Sequence, residues 1–259
     1  MVLWSIAVKN FKDLAKNYLL LFFLILIPLM QIYLISDISQ NAAQGGIDLQ
    51  EGFVELITLT SGSSDLLQTF TAGILVQFLL ITSMIAGATI VAEREQNTMM
   101  RIYAAPVSKI KMLTGILLGH SATVLMITSI IIVSSFKLFD VSWGDSWINT
   151  MIVTLMGVFV GTAMSFLISA IFNNPKIAGG IMSIVVIGMT FMSGGLIQTD
   201  KLDTVSKFTI NKWIAESYIT LAQGGGLQDI IMNLTIIALI GTVLILTASF
   251  LYRREDLYE

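Results

Sequence analysis

The sequence predicts an all-α polytopic membrane protein, and three observations carry that prediction. First, 55% of the 259 residues are hydrophobic and only 12% are charged, whereas soluble domains carry about 25% charged residues. Second, six apolar stretches are long enough to cross hydrocarbon, which takes about 20 residues of helix. Third, the basic residues gather on alternate connections between those stretches. The predicted architecture is a single transmembrane domain over residues 1–259. It has an N-terminal interfacial amphipathic helix, six transmembrane helices, a cytosolic surface helix between spans two and three, and short outer helices before span six.

Residues 1–17 have helical periodicity. Trp4, Val8, Phe11, Ala15 and Tyr18 form one stripe with Leu3, Ala7 and Leu14 beside it, while Lys9, Lys12, Asp13, Lys16 and Asn17 take the remainder. This pattern reads as a helix lying in the membrane interface. A signal peptide is the competing reading; the long apolar run that follows and the lack of a small-residue cleavage pattern argue against it.

The six spans are expected at about 18–36, 69–92, 112–136, 147–172, 177–198 and 230–252. An even count puts both termini on one side. With that side inside, Lys9, Lys12, Lys16, Arg94, Arg101, Lys109, Lys111, Lys176, Arg253 and Arg254 are cytosolic, ten of the fourteen basic residues. Segment 37–68 holds Asp37, Asp48, Glu51, Glu55 and Asp65 and no basic residue. The positive-inside rule therefore places both termini in the cytosol of a multi-pass cell-membrane protein.

Within the spans, Pro28 is expected to kink the first helix, because it deletes a backbone donor and its ring clashes with the preceding turn. Gly115-x-x-x-Gly119 and Gly157-x-x-x-Gly161 permit close helix approach, within this chain or between subunits. Asn173-Asn174-Pro175 reads as a helix stop and restart, and Gly194-Gly195 as the outer end of span five. Two outer segments carry helical signals of their own. One is Leu49, Phe53, Leu56, Ile57 and Thr60 between two turn clusters. The other is Trp213, Ile214, Tyr218, Leu221 and Ala222 before Gly224-Gly225-Gly226, too short to span and therefore interfacial or re-entrant.

The stretch from Ala92 to Lys111 is distinctive. It reads Glu93-Arg94-Glu95-Gln96-Asn97-Thr98-Met99-Met100-Arg101 and continues to Pro106-Val107-Ser108-Lys109. About a dozen residues precede the proline, enough for three helical turns. Met99, Ile102 and Tyr103 fall on one side; Arg94, Glu95, Thr98 and Arg101 fall mostly on the other. Such a helix lies along the membrane surface with its charged face toward the cytosol.

Several chemistries are excluded. No Gly-x-x-x-x-Gly-Lys-Ser/Thr run exists, so the chain has no phosphate-cradling loop and is not itself an ATPase. Zero cysteines and a single histidine exclude thiolate sites, poly-His metal sites and His-Glu-x-x-His. The net charge of −3 and the lack of a basic cluster exclude a nucleic-acid partner. No aspartate falls inside the expected spans, which argues against an intramembrane aspartyl protease. Ion-coupled carriers need ionisable groups at membrane depth, and only His120 is a candidate. A lone histidine there reads first as hydrogen-bonded structure and second as a proton relay. Gln31, Gln77, Thr82, Ser83 and Thr89 either line a path or bond between helices.

Glu93-Arg94-Glu95-Gln96-x-Thr98-Met99-x-Arg101, then Ala104-Ala105-Pro106-Val107-Ser108 and Leu113-x-Gly115-x-Leu117-Leu118-Gly119-His120, resembles the membrane subunits of type-2 ABC exporters. Gly194-Gly195-Leu196-Ile197 is similar to the end of that family's fifth span, and Asn211-Lys212-Trp213 to Gly224-Gly225-Gly226 to its outer helical pair. The chain departs from the family's run at Asn97, Met100 and Asn211-Lys212. The resemblance implies a permease half that pairs with a second half, identical or sister, around an export path. A separate cytosolic ABC subunit would bind ATP and Mg, with no cofactor in this chain. It implies a coupling helix in which Glu93, Arg94, Glu95, Thr98, Met99, Arg101, Ile102, Tyr103 and Pro106 dock that subunit, with residues 1–17 nearby. Pro28, Gln31, Gln77, Gly194 and Gly195 are candidates for path or packing.

The apolar spans, with scattered Ser, Thr, Gln and fourteen Met, suit amphipathic or hydrophobic cargo such as drugs, antimicrobial peptides or lipid-like molecules. A stand-alone channel or secondary carrier, or a membrane scaffold without transport, are the alternatives.

Overall fold

The computed structural model describes residues 2–43, 63–95, 109–193 and 203–255. Among these residues there are nine helices and no strand: α1 (Val2–Ala15), α2 (Tyr18–Ala43), α3 (Ser63–Glu95), α4 (Lys109–Phe139), α5 (Trp147–Ile171), α6 (Pro175–Met192), α7 (Asp203–Ser206), α8 (Ile210–Ala222) and α9 (Ile231–Glu255). Six of them, α2 to α6 and α9, are long and apolar enough to cross a membrane. All-helical architecture follows from the solvent: backbone groups in hydrocarbon have no water to bond, and a helix satisfies them within its own segment.

The helices outrun the apolar windows. α2 continues to Ala43 and α3 starts at Ser63, since backbone hydrogen bonding does not stop where side chains turn polar. As a result Asp37 is an exposed residue inside α2 rather than in a loop, and α4 runs on to carry Lys137 in its last turn. Pro28 is buried within α2, which continues through it. The segment from Leu49 to Thr60 lies outside the described residues.

α3 is the central pillar. Of its apolar span 71% is buried, against 17% for α2, 22% for α6 and 17% for α9. α2, α4, α5, α6 and α8 all pack on it, while α9 packs on α5. α3 and α5 approach each other closely. A Cβ placed at Gly161 would meet Ser83 Oγ at 2.5 Å, and one at Gly87 would meet the Ser165 carbonyl oxygen and Met182 Cε, each at 2.7 Å. Ser165 Oγ donates to the Ser83 carbonyl oxygen across the same seam. Gly157 completes the row, against Leu79 and Ile214. The Gly157/Gly161 pair is thus used within this chain. So is Gly119, where a Cβ would collide with the Ala7 carbonyl oxygen of α1.

That contact also sets the face of α1. The residues turned to α4 are Ala7 and Asn10, both buried, with Asn10 Nδ2 donating to Ile6 O at 3.0 Å. Trp4, in the apolar stripe of the expected interfacial helix, is 73% exposed. Close approach at Gly119 admits only small or compact groups, so the large aromatic is left to the outside. α1 therefore has a compact face on the bundle, an outward apolar face, and exposed Lys9 and Lys12.

Asn174 caps α6, its Oδ1 accepting from the Lys176 and Ile177 amides at 2.9 and 3.3 Å, with Pro175 in the first turn. This is the stop and restart expected there. At the opposite end, segment 140–146 turns α4 into α5 and fastens α8. Trp143, 3% exposed, donates Nε1 to Ser135 Oγ at 3.0 Å, and its carbonyl accepts from Thr150 Oγ1 at 2.7 Å. Its ring meets the Tyr218 ring edge-on at 5.4 Å, and the Tyr218 hydroxyl bonds Thr154 Oγ1 at 2.8 Å. Gly144, at φ +89°, has its Cα against the Leu221 backbone, where a side chain would be strained as well as blocked. Asn211 Nδ2 adds a bond to Thr190 Oγ1 of α6 at 2.9 Å. α8 buries Ile210, Asn211, Ile214, Ser217, Tyr218 and Leu221. It packs into the bundle against α3, α5 and α9 rather than lying free on a surface.

Two stability tests follow. Gly161→Val overfills the α3–α5 seam and is expected to destabilise the chain by about 1–3 kcal/mol. Gly188→Ala, at a position with nothing within 4 Å, is expected to be neutral or slightly stabilising through helix propensity; unfolding in detergent micelles reads both. In a double-mutant cycle, Tyr218→Phe and Thr154→Val are expected to couple by about 0.6 kcal/mol, as hydrogen bonds between membrane helices do. Additive losses would show that the hydroxyl pair contributes nothing.

Candidate functional site

α3 ends at Glu95 and α4 begins at Lys109, so residues 96–108 connect two neighbouring helices at one end of the bundle. The start of α2, the α5–α6 turn and the end of α9 lie at that same end, because six spans alternate in direction. A satellite core ties this end together. Ile90 of α3 packs with Leu113 and Ile116 of α4, and Ile6 of α1, Leu117, Phe166 of α5 and Tyr252 of α9 close around them. Tyr252 stacks on Phe166 with centroids 5.0 Å apart and planes 16° apart, and its hydroxyl bonds Ser169 Oγ at 2.8 Å. The base of the link is therefore a five-helix cluster. Neither helix next to the link can shift without disturbing α1, α5 and α9.

The residues read from the sequence fall as follows. Glu93 is half-buried in the last turn of α3, Arg94 is next in that helix, and Glu95 is exposed at its end. Thr98, Met99, Arg101, Ile102, Tyr103 and Pro106 lie outside the described residues, as do Gly194 and Gly195. Pro28 is buried on α2, while Gln31 on α2 and Gln77 on α3 are half-buried.

The hydroxyls expected to line a path or to bond between helices make bonds within their own helix. Thr82, Ser83 and Thr89 donate to Phe78, Leu79 and Ile85 carbonyl oxygens of their own helix at 2.7, 2.8 and 2.9 Å. A short hydroxyl on a helix reaches the carbonyl four residues back more readily than a neighbouring helix. His120 also departs from expectation. It is 1% exposed, yet Nε2 has no hydrogen-bond partner among the described residues, so it is not hydrogen-bonded structure through that nitrogen. Residue reading also missed the Trp143–Tyr218–Thr154 cluster. A tryptophan followed by glycine in a short turn was a signal, but its partner stands 75 residues away in sequence.

No three histidine, cysteine, aspartate or glutamate side chains cluster as a metal site among the described residues. What the arrangement offers chemically is mechanical. It is a polar-capped helix end and a linking segment anchored on a shared apolar base, in a bundle with a fastened opposite end.

No curated protein matches the chain. A family model described as ABC-2 family transporter protein matches residues 28–250. That match runs from the middle of α2 to the last turns of α9, across the pillar, the link and the fastened end alike. Its members are membrane components of ABC transporters rather than the nucleotide-hydrolysing subunits. This chain, with its six spanning helices, belongs to the ABC-2 family of transporter permeases.

Proposed function

We propose that this permease is one half of an ATP-driven exporter for amphipathic or hydrophobic cargo, with both termini in the cytosol. It would form the export path with a second half, the same chain or a sister. A cytosolic ABC subunit holding ATP and Mg would grip it at the segment joining α3 and α4. Glu93, Arg94, Glu95, Thr98 and Arg101 supply the polar contacts in this reading, and Met99, Ile102, Tyr103 and Pro106 the packing and the turn back. The observation that carries the reading is the common base at Ile90, Leu113 and Ile116. A force applied to the link enters the most buried helix of the bundle directly.

The physics suits such a role. A motor can drive a permease only by binding its inward-open and outward-open states with different energies. A pillar that runs from the link to the far end would turn that difference into rigid-body motion. The basic residues at this end, among them Lys9, Lys12, Lys176 and those of the link, support its placement in the cytosol. The uncharged, self-bonded hydroxyls of α3 leave the core suited to apolar cargo.

Co-expression with an ATP-binding subunit encoded beside this chain tests the proposal. Stable co-purification is expected, and Arg94→Glu with Arg101→Glu is expected to abolish it while membrane insertion is kept. A complex that survives the double reversal removes the docking role. Uphill transport by the isolated chain without ATP removes the exporter reading altogether.

A further inference from the structure

α1 and the residue that follows it carry Lys9, Lys12 and Lys16 against a single acid, Asp13. Lys16 continues the helical turn, its amide donating to the Lys12 carbonyl oxygen at 2.9 Å. On a helix of 3.6 residues per turn the three lysines fall within about 60° of arc. All three are exposed. Trp4, Val8 and Phe11 fall within another arc of about 60° beside them. Trp4 is exposed, and the other two are half-buried. Ala7 and Asn10, both buried, take the side that meets α4. α1 thus has a docked sector, an apolar sector and a cationic sector. The contact at Gly119 fixes the rotation of α1 about its own axis, so the lysines have a set direction.

Two markers place α1 at the edge of the hydrocarbon. The apolar span of α4 begins at Leu113 and that of α2 at Tyr18. Gly119, where α1 touches α4, lies six residues past Leu113, about 9 Å along the helix. Lys16 stands two residues before Tyr18. Interfacial helices bury their apolar face about 5–10 Å into the boundary of headgroups and acyl chains, and α1 fits that depth. A lysine there runs its stem along apolar surface while the ammonium reaches the phosphate level. Depth and charge together select the occupant. A soluble partner would have to enter the hydrocarbon boundary to cover Trp4, Val8 and Phe11, whereas lipid already fills it. Acyl chains cover the apolar sector, and the cationic sector beside it calls for a negative headgroup.

We propose that α1 is a docking surface for anionic phospholipid, the phosphodiester of a phosphatidylglycerol-type headgroup being held by Lys9, Lys12 and Lys16 and its chains lying against Trp4. Each basic residue near an anionic surface contributes about fivefold to such binding. Phosphatidylcholine carries the same phosphate but also its own cation, so the net attraction is lost. Ile6 of α1 belongs to the apolar base of the link, with Ile90, Leu113 and Ile116. A bound headgroup therefore holds that base at one depth. This consequence for coupling, and the placement of the surface in the cytosolic leaflet, rest on the proposed function; the headgroup binding does not.

The full chain is placed in nanodiscs of phosphatidylglycerol and phosphatidylcholine in equal amounts, with bromine on the acyl chains of one lipid or of the other. Bromine quenches a nearby tryptophan, and the emission of Trp4 is the difference between the chain and its Trp4→Phe variant. Brominated phosphatidylglycerol is expected to show an affinity at Trp4 at least about fivefold above that of brominated phosphatidylcholine. High salt is expected to reduce that preference. Lys9→Gln, Lys12→Gln and Lys16→Gln together are expected to bring the ratio close to one. Singly, each is expected to lower it, which keeps the test readable if the triple variant does not insert. Lys9→Arg with Lys12→Arg and Lys16→Arg keeps the charge and is expected to keep the preference. Equal quenching by the two lipids, a preference that outlives the glutamine variants or is lost in the arginine variant, or a Trp4 that neither lipid quenches overturns the proposal. No ATP-binding subunit is present, so a permease that proves not to couple or export leaves the answer intact.

Discussion

The α3–α5 seam is the constraint on which the rest of the bundle depends. Gly157, Gly161 and Ser165 stand four residues apart on α5, and Leu79, Ser83 and Gly87 stand four apart on α3. Each glycine accepts a group from the facing row, and the Ser165 hydroxyl bonds the Ser83 carbonyl between them. In lipid, apolar side chains gain nothing by leaving one hydrocarbon surface for another. Helices associate instead through close van der Waals packing and polar bonds. Small residues in register provide both. The seam brings α3 deep enough that α6 reaches it through Met182, against Gly87, and α8 reaches the same seam through Ile214, against Gly157. A wider seam would loosen those contacts together.

From that pillar the two ends of the bundle take different characters. The end near 140–146 is fastened by directional bonds: Trp143 to Ser135, Thr150 to the Trp143 carbonyl, Tyr218 to Thr154 and Asn211 to Thr190. The end near the 96–108 link gathers apolar packing around Ile90, Leu113 and Ile116 from five helices, with an aromatic stack, a hydroxyl pair and the Asn174 cap at the same end. On the proposed function the motor acts where five helices share that packing.

Six spanning helices were legible because hydrocarbon thickness sets a length that apolar runs must meet, and each expected span lies largely within an observed helix. Their ends were less legible, because α2 and α3 carry on past the membrane-length window into polar sequence. Asp37 was misplaced for that reason. The small-xxx-small motifs announced close approach but not the partner: Gly119 faces Ala7 of α1, and Gly161 faces Ser83. Periodicity gave α1 its apolar stripe with Trp4, but only the space at Gly119 selects Ala7 and Asn10 for the contact with α4. Of the proposed docking residues, Glu93, Arg94 and Glu95 are located at the end of α3, and the others lie outside the described residues. The Trp143–Tyr218 contact and the His120 cleft arise only when distant helices meet, so no local pattern encodes them.

The polar groups of the core suggest how selectivity and energy supply are divided. Thr82, Ser83, Thr89, Thr123, Thr154 and Thr190 each donate to a carbonyl of their own helix. A hydroxyl spent in this way offers a passing molecule only its lone pairs, a weak and undirected hold. Such a core discriminates by shape and apolarity, and hardly by hydrogen bonding. The buried His120 nitrogen is an exception, and it stands at a cleft of small volume rather than in a chain of ionisable groups. A relay needs successive proton carriers within bonding distance, and His120 is the one ionisable group lining that cleft. On the proposed function the driving energy enters instead through the link that joins α3 to α4.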